Sequence, residues 1–386
     1  MRIFVLGAGS TGSLIARLLV RQGHQVTCGD RDPDRAHRFL GRKSAIPVRQ
    51  VNARNLWSIV KAARGSHLLV NASPAVFNRI ALRAALRLRV HYLDTASHQT
   101  RNPFKAEQLS FDRQFQAKNR AAVINAGVAP GLTNLLVARS AELLNGLESV
   151  HIRLYESTGS DEPVSQWSSD AAFDEAVSRP PVYRNGRFRF GQRFGEREVF
   201  RFPRPIGPSG VMLAAQDEVV TLPRFLKLRE LDVKIGGNDF ERLRRLYRQG
   251  KLRRSRGPAA SRFPQTPTPR QLAKLVARGA LYHARFAAAV VARGRKNDRH
   301  ALVRLDAVFP TLHQIHRREV YTSPIAWATA HMAALFVKHF PRELPGVHPP
   351  ETLPAATRRA ILAGARAYGI RIGMKVTLSK PVDDED

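Results

Sequence analysis

The sequence predicts an α/β chain in which a doubly wound parallel sheet is joined to a second α+β domain with a mixed sheet. Three observations carry this reading. An apolar run, Arg2 to Leu6, is followed at once by glycines and then by a helical face of Ile15, Leu18 and Leu19. Strand-like and helix-like patterns then alternate as far as about residue 147, as parallel strands joined by right-handed crossovers require. From Glu148 the alternation stops, and strand patterns with a hairpin signal at Asn185-Gly186 take over.

The first thirty residues organise the rest. Gly7-Ala8-Gly9-Ser10-Thr11-Gly12 is G-x-G-x-x-G between a strand and a helix, and Val26 to Asp30 closes the unit as a second strand. Gly7 permits the tight turn, Gly9 lets backbone N–H groups approach a pyrophosphate, and Gly12 lets the helix pack on the strand. The phosphate charge then sits at a helix N-terminus, with Ser10 and Thr11 beside it. Asp30 is placed to accept hydrogen bonds from an adenosine ribose, which favours NAD. Arg31 beside it is able to pair with a 2′-phosphate, so NADP stays open.

The expected elements follow in order. Strands are read at Pro47 to Val51, His67 to Ala72, Val90 to Asp94 and Ala122 to Ala126. Helices are read at Leu56 to Ala63, Phe77 to Leu88, Lys105 to Asn119 and Leu132 to Leu144. This is a Rossmann domain over residues 1–147, and the ends of its later strands should line the cofactor edge. A substrate and dimerisation domain is expected over 148–323, with strands at His151 to Glu156, Val182 to Phe190, Glu230 to Ile235 and Leu302 to Val308. Its helices are expected at Phe240 to Arg248 and Arg270 to Arg293. The segment 324–386, beginning with a helix Pro324 to Lys338, is expected to return to the Rossmann domain.

Composition excludes several classes. No apolar run reaches the roughly 18–20 residues that cross a bilayer, and the lone Cys28 cannot form an intramolecular disulfide. A cytoplasmic protein is expected. His313 and His316 lack a completing ligand set, so no metal site is expected. The charge is unusual: 63 Lys and Arg against 31 Asp and Glu give +32, and only 12 of the cations are Lys. Polyanion contact, with the run Arg242 to Arg256 as its densest patch, stands against a scattered arginine-rich surface.

Taken with the segments NASP (Asn71 to Pro74), HYLDTA (His91 to Ala96), GVAPGLTNLL (Gly127 to Leu136), QWSSDAAFDEAV (Gln166 to Val177) and GVHPPETL (Gly346 to Leu353), the chain resembles the saccharopine dehydrogenase family. Lysine 6-dehydrogenase and carboxynorspermidine dehydrogenase are branches of it. The resemblance implies an NAD(P)-dependent oxidoreductase acting on a C–N bond of an amino-acid or polyamine derivative, and a homodimer is expected. It also implies that Asn71, Ser73 and Pro74 lie along the cofactor. The family's saccharopine branch often has an acid where Ala129 stands, which weakens a strict saccharopine assignment.

Hydride transfer needs a group that exchanges a proton at the substrate nitrogen or at an attacking water. Asp94 and His98 follow the fifth strand and are the candidates, although Asp94 is also suited to capping a helix. Gly127, Pro130 and Gly131 make a turn that is able to bring backbone near the nicotinamide. Trp167 and Ser168 are candidate substrate contacts. Lys234 reads as an outward-facing charge or a proton donor. The alternative function is a non-catalytic dinucleotide sensor, or a nucleic-acid-associated Rossmann protein.

Overall fold

In a computed structural model the described residues are 1–41, 43–98, 104–166, 175–251, 266–297 and 299–379. The first sheet holds β1 (Arg2–Leu6), β2 (Gln25–Asp30), β3 (Val48–Gln50), β4 (Leu68–Asn71), β5 (His91–Asp94) and β6 (Ala121–Val123). Their spatial order is 3-2-1-4-5-6, all parallel. The order reverses between β1 and β4, the crevice where open α/β sheets bind ligands.

The inner strands β1, β4 and β6 are nearly continuous apolar runs because both faces are covered, while the edge strand β3 is largely exposed. Ile3 and Val5 face α1 (Ser10–Arg21), through Leu14, Ile15 and Leu18. Phe4 and Leu6 face α3 (Leu56–Ala63) and α4 (Asn78–Leu88), through Ile59, Ala81 and Leu82. Between β2 and β3 runs α2 (Pro33–Leu40), whose cap Asp32 accepts from Arg35 N–H. The helix expected over 105–119 is split into a 3₁₀ turn, Glu107–Phe111, and α5 (Asp112–Ala117). From β6 the chain enters α6 (Leu132–Glu142).

The second sheet is mixed. Its spine is β7 (Gly146–Ser160), with β8 (Pro181–Arg184), β9 (Arg187–Phe190), β10 (Glu198–Arg201), β11 (Pro208–Leu213), β12 (Glu230–Gly236), β13 (Leu281–Lys296), β14 (Arg299–Val308) and β16 (Arg371–Leu378). The strand β15 (Gly346–His348) belongs instead to the first sheet, beside β6. In the second sheet β12 runs parallel to β7 and the other ladders are antiparallel. Asn185 and Gly186 both take positive φ at the β8–β9 turn, as a two-residue hairpin of the primed type demands.

The helix expected over 270–293 is a correction. The structure has α9 (Pro269–Ala277), a stop at Gly279 with φ +77°, and then β13. The run Ala287 to Ala292 is rich in a strong helix former, yet it pairs with β7 on one side and β14 on the other. All its residues but Val291 are buried, and ladder pairing with burial outweighs a propensity worth tenths of a kcal/mol per residue.

Five further helices complete the described chain: α7 (Glu218–Phe225), α8 (Asn238–Arg248), α10 (Leu312–His316), α11 (Pro324–Lys338) and α12 (Ala355–Ala367). The apolar α11 packs against α1, where Gln22 Nε2 donates to Ala334 O at 3.3 Å. The stretch beyond 324 thus contributes β15 to the first sheet and β16 to the second. Among the described residues no helix is long and apolar enough to cross a membrane.

Candidate active site

The glycine turn is built as its spacing requires. Gly7 has φ +91°, and a Cβ there would stand 2.7 Å from Ser73 N, so the turn after β4 presses against it. A Cβ on Gly12 would meet Gly7 O at 1.9 Å, because the first turn of α1 lies on the glycine loop. Gly9 differs from both. Its φ is −76°, and the nearest atom to its Cβ position is Arg35 Nη1, at 4.0 Å. The space in front of Gly9 is therefore open, and no side chain caps the N-terminus of α1. Ser10 and Thr11 stand in that first turn, which carries no acid.

Asp30 ends β2 with one carboxylate oxygen accepting from Ala8 N–H at 2.8 Å and the other from Asp32 N–H at 3.1 Å. It ties the glycine loop to β2 while keeping lone pairs free. Arg31 is exposed. Arg35, which the sequence analysis did not single out, lies over the loop from the first turn of α2, a position five residues past the acid.

The turn after β4 is organised by Asn71, which is buried. Its Oδ1 accepts from Ser73 N–H at 3.2 Å and Ser73 Oγ at 2.5 Å, and its amide donates to Asn78 Oδ1 at 2.9 Å and Tyr92 OH at 3.3 Å. Asn71 thus shapes the turn from behind, while Ser73 and Pro74 form its face.

Asp94 ends β5 and is 1% exposed. It accepts from Asn125 N–H at 2.8 Å and from Gln108 Nε2 at 3.2 Å. Burial pushes its carboxyl up to about 7, against the hydrogen bonds from Asn125, Gln108 and Tyr92 that favour the charged form. His98 is half-buried and makes no hydrogen bond to Asp94. The link between them is the backbone of 95–97: Ala96 O accepts from Asn78 Nδ2 at 2.8 Å, and Ser97 Oγ lies 2.8 Å from Asn125 Oδ1 and 3.0 Å from Gln108 Oε1.

The turn Gly127–Gly131 is buried and closes on itself. Gly127 bridges to Gly131, whose φ is +130°, and a Cβ on Gly127 would stand 2.8 Å from Thr95 O. Pro130 follows a cis bond, and Ala129 is the half-buried residue of the turn. Across from this turn stand acids of the second domain and one, Glu351, of the segment that returns to the first sheet. Glu218, at the start of α7 and fully buried, accepts from Thr133 Oγ1 at 2.7 Å. Glu351 accepts from Asn134 Nδ2 at 2.9 Å, and Asp217 accepts from Ser97 N–H at 2.8 Å.

Glu175 accepts from Gln216 Nε2 at 2.5 Å. Burial, then Thr133 opposing and Asp217 and Glu351 adding, pushes Glu218 up to about 7. Burial and then Glu156, Asp217 and Glu218 hold Glu175 well above the carboxylate range, and burial raises Glu351. Glu175 and Glu351 fall within the segments QWSSDAAFDEAV and GVHPPETL, but the sequence does not reveal that the four acids meet, because partners such as Thr133 and Glu218 lie 85 residues apart. Trp167 and Ser168 lie outside the described residues. Lys234 is buried rather than outward, and its ammonium is 3.2 Å from Glu198 in the second sheet, away from this junction. Burial pushes the Cys28 thiol up to about 12.

Residues 3–124 match the family model for the saccharopine dehydrogenase NADP binding domain. The first domain belongs to that family. With the saccharopine dehydrogenase domain goes the class, an NAD(P)-dependent oxidoreductase. No curated protein sequence matches the chain. Among solved structures, apo saccharopine dehydrogenase (L-Glu forming) from Saccharomyces cerevisiae superposes with a TM-score of 0.70, covering 97% of this chain and 99% of that one at 13% identity. At that identity the likeness shows a shared fold over both domains. The WlbA dehydrogenase from Bordetella pertussis, in complex with NADH and UDP-GlcNAcA, is a more distant match, covering 79% of this chain and 77% of that one at 11% identity and a TM-score of 0.38.

Proposed function

We propose that this saccharopine dehydrogenase-type chain oxidises or reduces a C–N bond of a cationic amine or amino-acid derivative at the junction between its two domains. The observation that carries the reading is a pair of buried carboxyls, Asp94 and Glu218, whose hydrogen-bond partners are neutral and which burial pushes up to about 7. Groups with such values exchange protons near neutral pH. Buried Glu175 and Glu351 beside them, which accept from the neutral Gln216 and Asn134, suit an ammonium-bearing substrate.

The residues present fit a nicotinamide dinucleotide: the open space before Gly9, the uncapped start of α1 and the Asp30 carboxylate are its cradle. When bound, it supplies the hydride acceptor or donor. In the oxidative direction the substrate ammonium first gives up a proton, the C–H of the neutral amine then loses hydride to leave an iminium, water adds to its carbon with loss of a second proton, and the adduct breaks its C–N bond to give carbonyl and amine. The chain's part is to orient the substrate nitrogen and take the proton released by the attacking water. Asp94 is the proton-holding group, His98 stands on the segment it anchors, and Ser73, Pro74, Gly127, Pro130 and Gly131 form the floor. Asp30 supports NAD, while Arg31 and Arg35 bring charge that suits a 2′-phosphate, so the preference between NADH and NADPH is expected within about tenfold, or ~1.4 kcal/mol. A homodimer is proposed through the exposed β16, where Met374, Val376 and Leu378 recur at every second position.

Titration with NADH and NADPH tests the cradle. Gly9→Trp keeps an allowed φ and fills the open space, so it should fold and lose binding of both; unchanged affinity sinks the reading. Turnover with a panel of amines and α-amino acids tests the chemistry. Asp94→Asn should keep cofactor affinity and lose about 10²–10⁴ in kcat.

A further inference from the structure

The other end of the first sheet carries a feature that the dehydrogenase chemistry does not use. Where β1, β2 and the approach to β4 begin, a cavity of about 620 Å³ opens beneath the sheet. It lies one strand length, about 13 Å, from the glycine loop, since β1 separates the two. Its cations are Arg2, Arg17, Arg21, Arg49 and Arg64, drawn from four stretches of chain, with the His24 ring beside them and no Asp or Glu in the lining. Neither Arg17, Arg21, Arg49 nor Arg64 makes an ion pair among the described residues.

Two of the arginines are held in place by backbone: Arg2 Nε donates to Gly65 O at 2.5 Å, and Arg49 donates to Ala62 O. Arg17 is different. Its Nε is buried and has no hydrogen-bond partner. Burial, followed by the charge of Arg21, pulls its pKa down, so this guanidinium is short of compensation. Between the cations the walls are apolar, formed by Val20, Ile46, Pro47 and Ala62.

Like charges gathered round a cavity without a carboxylate repel one another, and an anion bridging them removes that cost. Guanidinium forks match phosphate oxygens two at a time. The volume falls within the roughly 300–1,000 Å³ of small-molecule sites, larger than a bare phosphate requires, and the apolar walls suit a ring or sugar body. We propose that this cavity is a second ligand site, separate from the cofactor cradle, that binds an organic phosphate of nucleotide size. It does not rest on the amine-oxidoreductase reading.

The test is calorimetric titration of the full chain with ADP and, separately, with inorganic pyrophosphate, in buffer saturated with NADPH so that the glycine loop is filled. One ADP per chain is expected, bound at least tenfold more tightly than pyrophosphate. Arg17→Gln and Arg64→Gln should each weaken ADP at least tenfold and leave NADPH affinity unchanged. Arg64 is exposed, so its variant folds even where Arg17→Gln perturbs α1. Absence of the added ADP site, or ADP binding unaltered in Arg64→Gln, overturns the proposal. Binding of pyrophosphate equal to ADP overturns the organic part of the ligand. An ADP site lost in Gly9→Trp but kept in Arg64→Gln belongs to the glycine loop, and overturns it too.

Discussion

Two buried acid groups in this chain sit in opposite electrostatic states. At the centre of the second sheet, Asp232 on β12 is 2% exposed and accepts from Arg153 Nη1 at 2.5 Å, Arg184 Nη2 at 2.9 Å and His151 Nδ1 at 3.1 Å. Burial alone would raise it, but the His151 bond and the charges of Arg153, His151 and Arg184 hold its carboxyl well below the usual range. At the domain junction, Asp94, Glu218, Glu175 and Glu351 are equally buried, and their described partners are neutral: backbone N–H, Thr, Asn, Gln and Tyr. In a chain carrying +32, cations surround the acid that holds a sheet together and do not partner those at the junction. The difference separates a carboxylate that its cations hold charged from carboxyls that burial pushes toward the neutral form.

The largest expected effect breaks the first of these regions. Asp232→Ala leaves two guanidiniums in the sheet without their shared acceptor, which should cost about 3–5 kcal/mol in urea unfolding. A loss below about 1 kcal/mol would mean that Glu198 and Glu196 suffice.

The second prediction concerns the junction and pH. The folded-state values of Asp94 and Glu218, near 7, lie above their ordinary 3.8 and 4.5. The folded state therefore holds protons that the unfolded chain releases, so their contribution is fully present below about pH 4 and is lost as pH rises through 7. Stability should fall by a few kcal/mol between pH 5 and 8. The Asp94→Asn, Glu218→Gln double variant should flatten that slope; an unchanged slope would place the titrating groups elsewhere. Asp232 has the opposite sign, its contribution persisting above its ordinary value and fading only in strong acid.

Smaller changes sharpen the contrast. Thr133→Val keeps volume and removes the hydroxyl donor to Glu218, at about 1–2 kcal/mol, with a larger loss at pH 8 than at pH 5 because the charged form needs the donor more. Lys234→Met should cost about 1 kcal/mol or less in thermal unfolding, since Glu198 is 40% exposed and keeps Arg153.

The glycine loop was legible residue by residue. Gly7, Gly9 and Gly12 are fixed by a turn, an open approach and a helix contact that all fall within six positions, and steric needs that local show in composition. The helix Leu56–Ala63 was legible for the same reason, its Asn55 cap and apolar period being local. The strand β13 was not: Ala-rich sequence favours helix until two neighbouring strands claim its backbone. Nor was the acid junction, where Asn134 and Glu351 are 217 residues apart. Lys234 shows the limit from the other side, since β12 is buried along nearly its whole length and Lys234 is held there with Glu198 on another strand.

By itself the sequence determined the β-turn-α-β unit, the parallel alternation and the geometry of the glycine loop, because these depend on backbone sterics and periodicity over a few residues. Only the tertiary structure decided which acids lose their water and which gain an arginine. A carboxyl's proton affinity is set by the dielectric and charges around it, and those neighbours come from segments that meet only when the chain is folded.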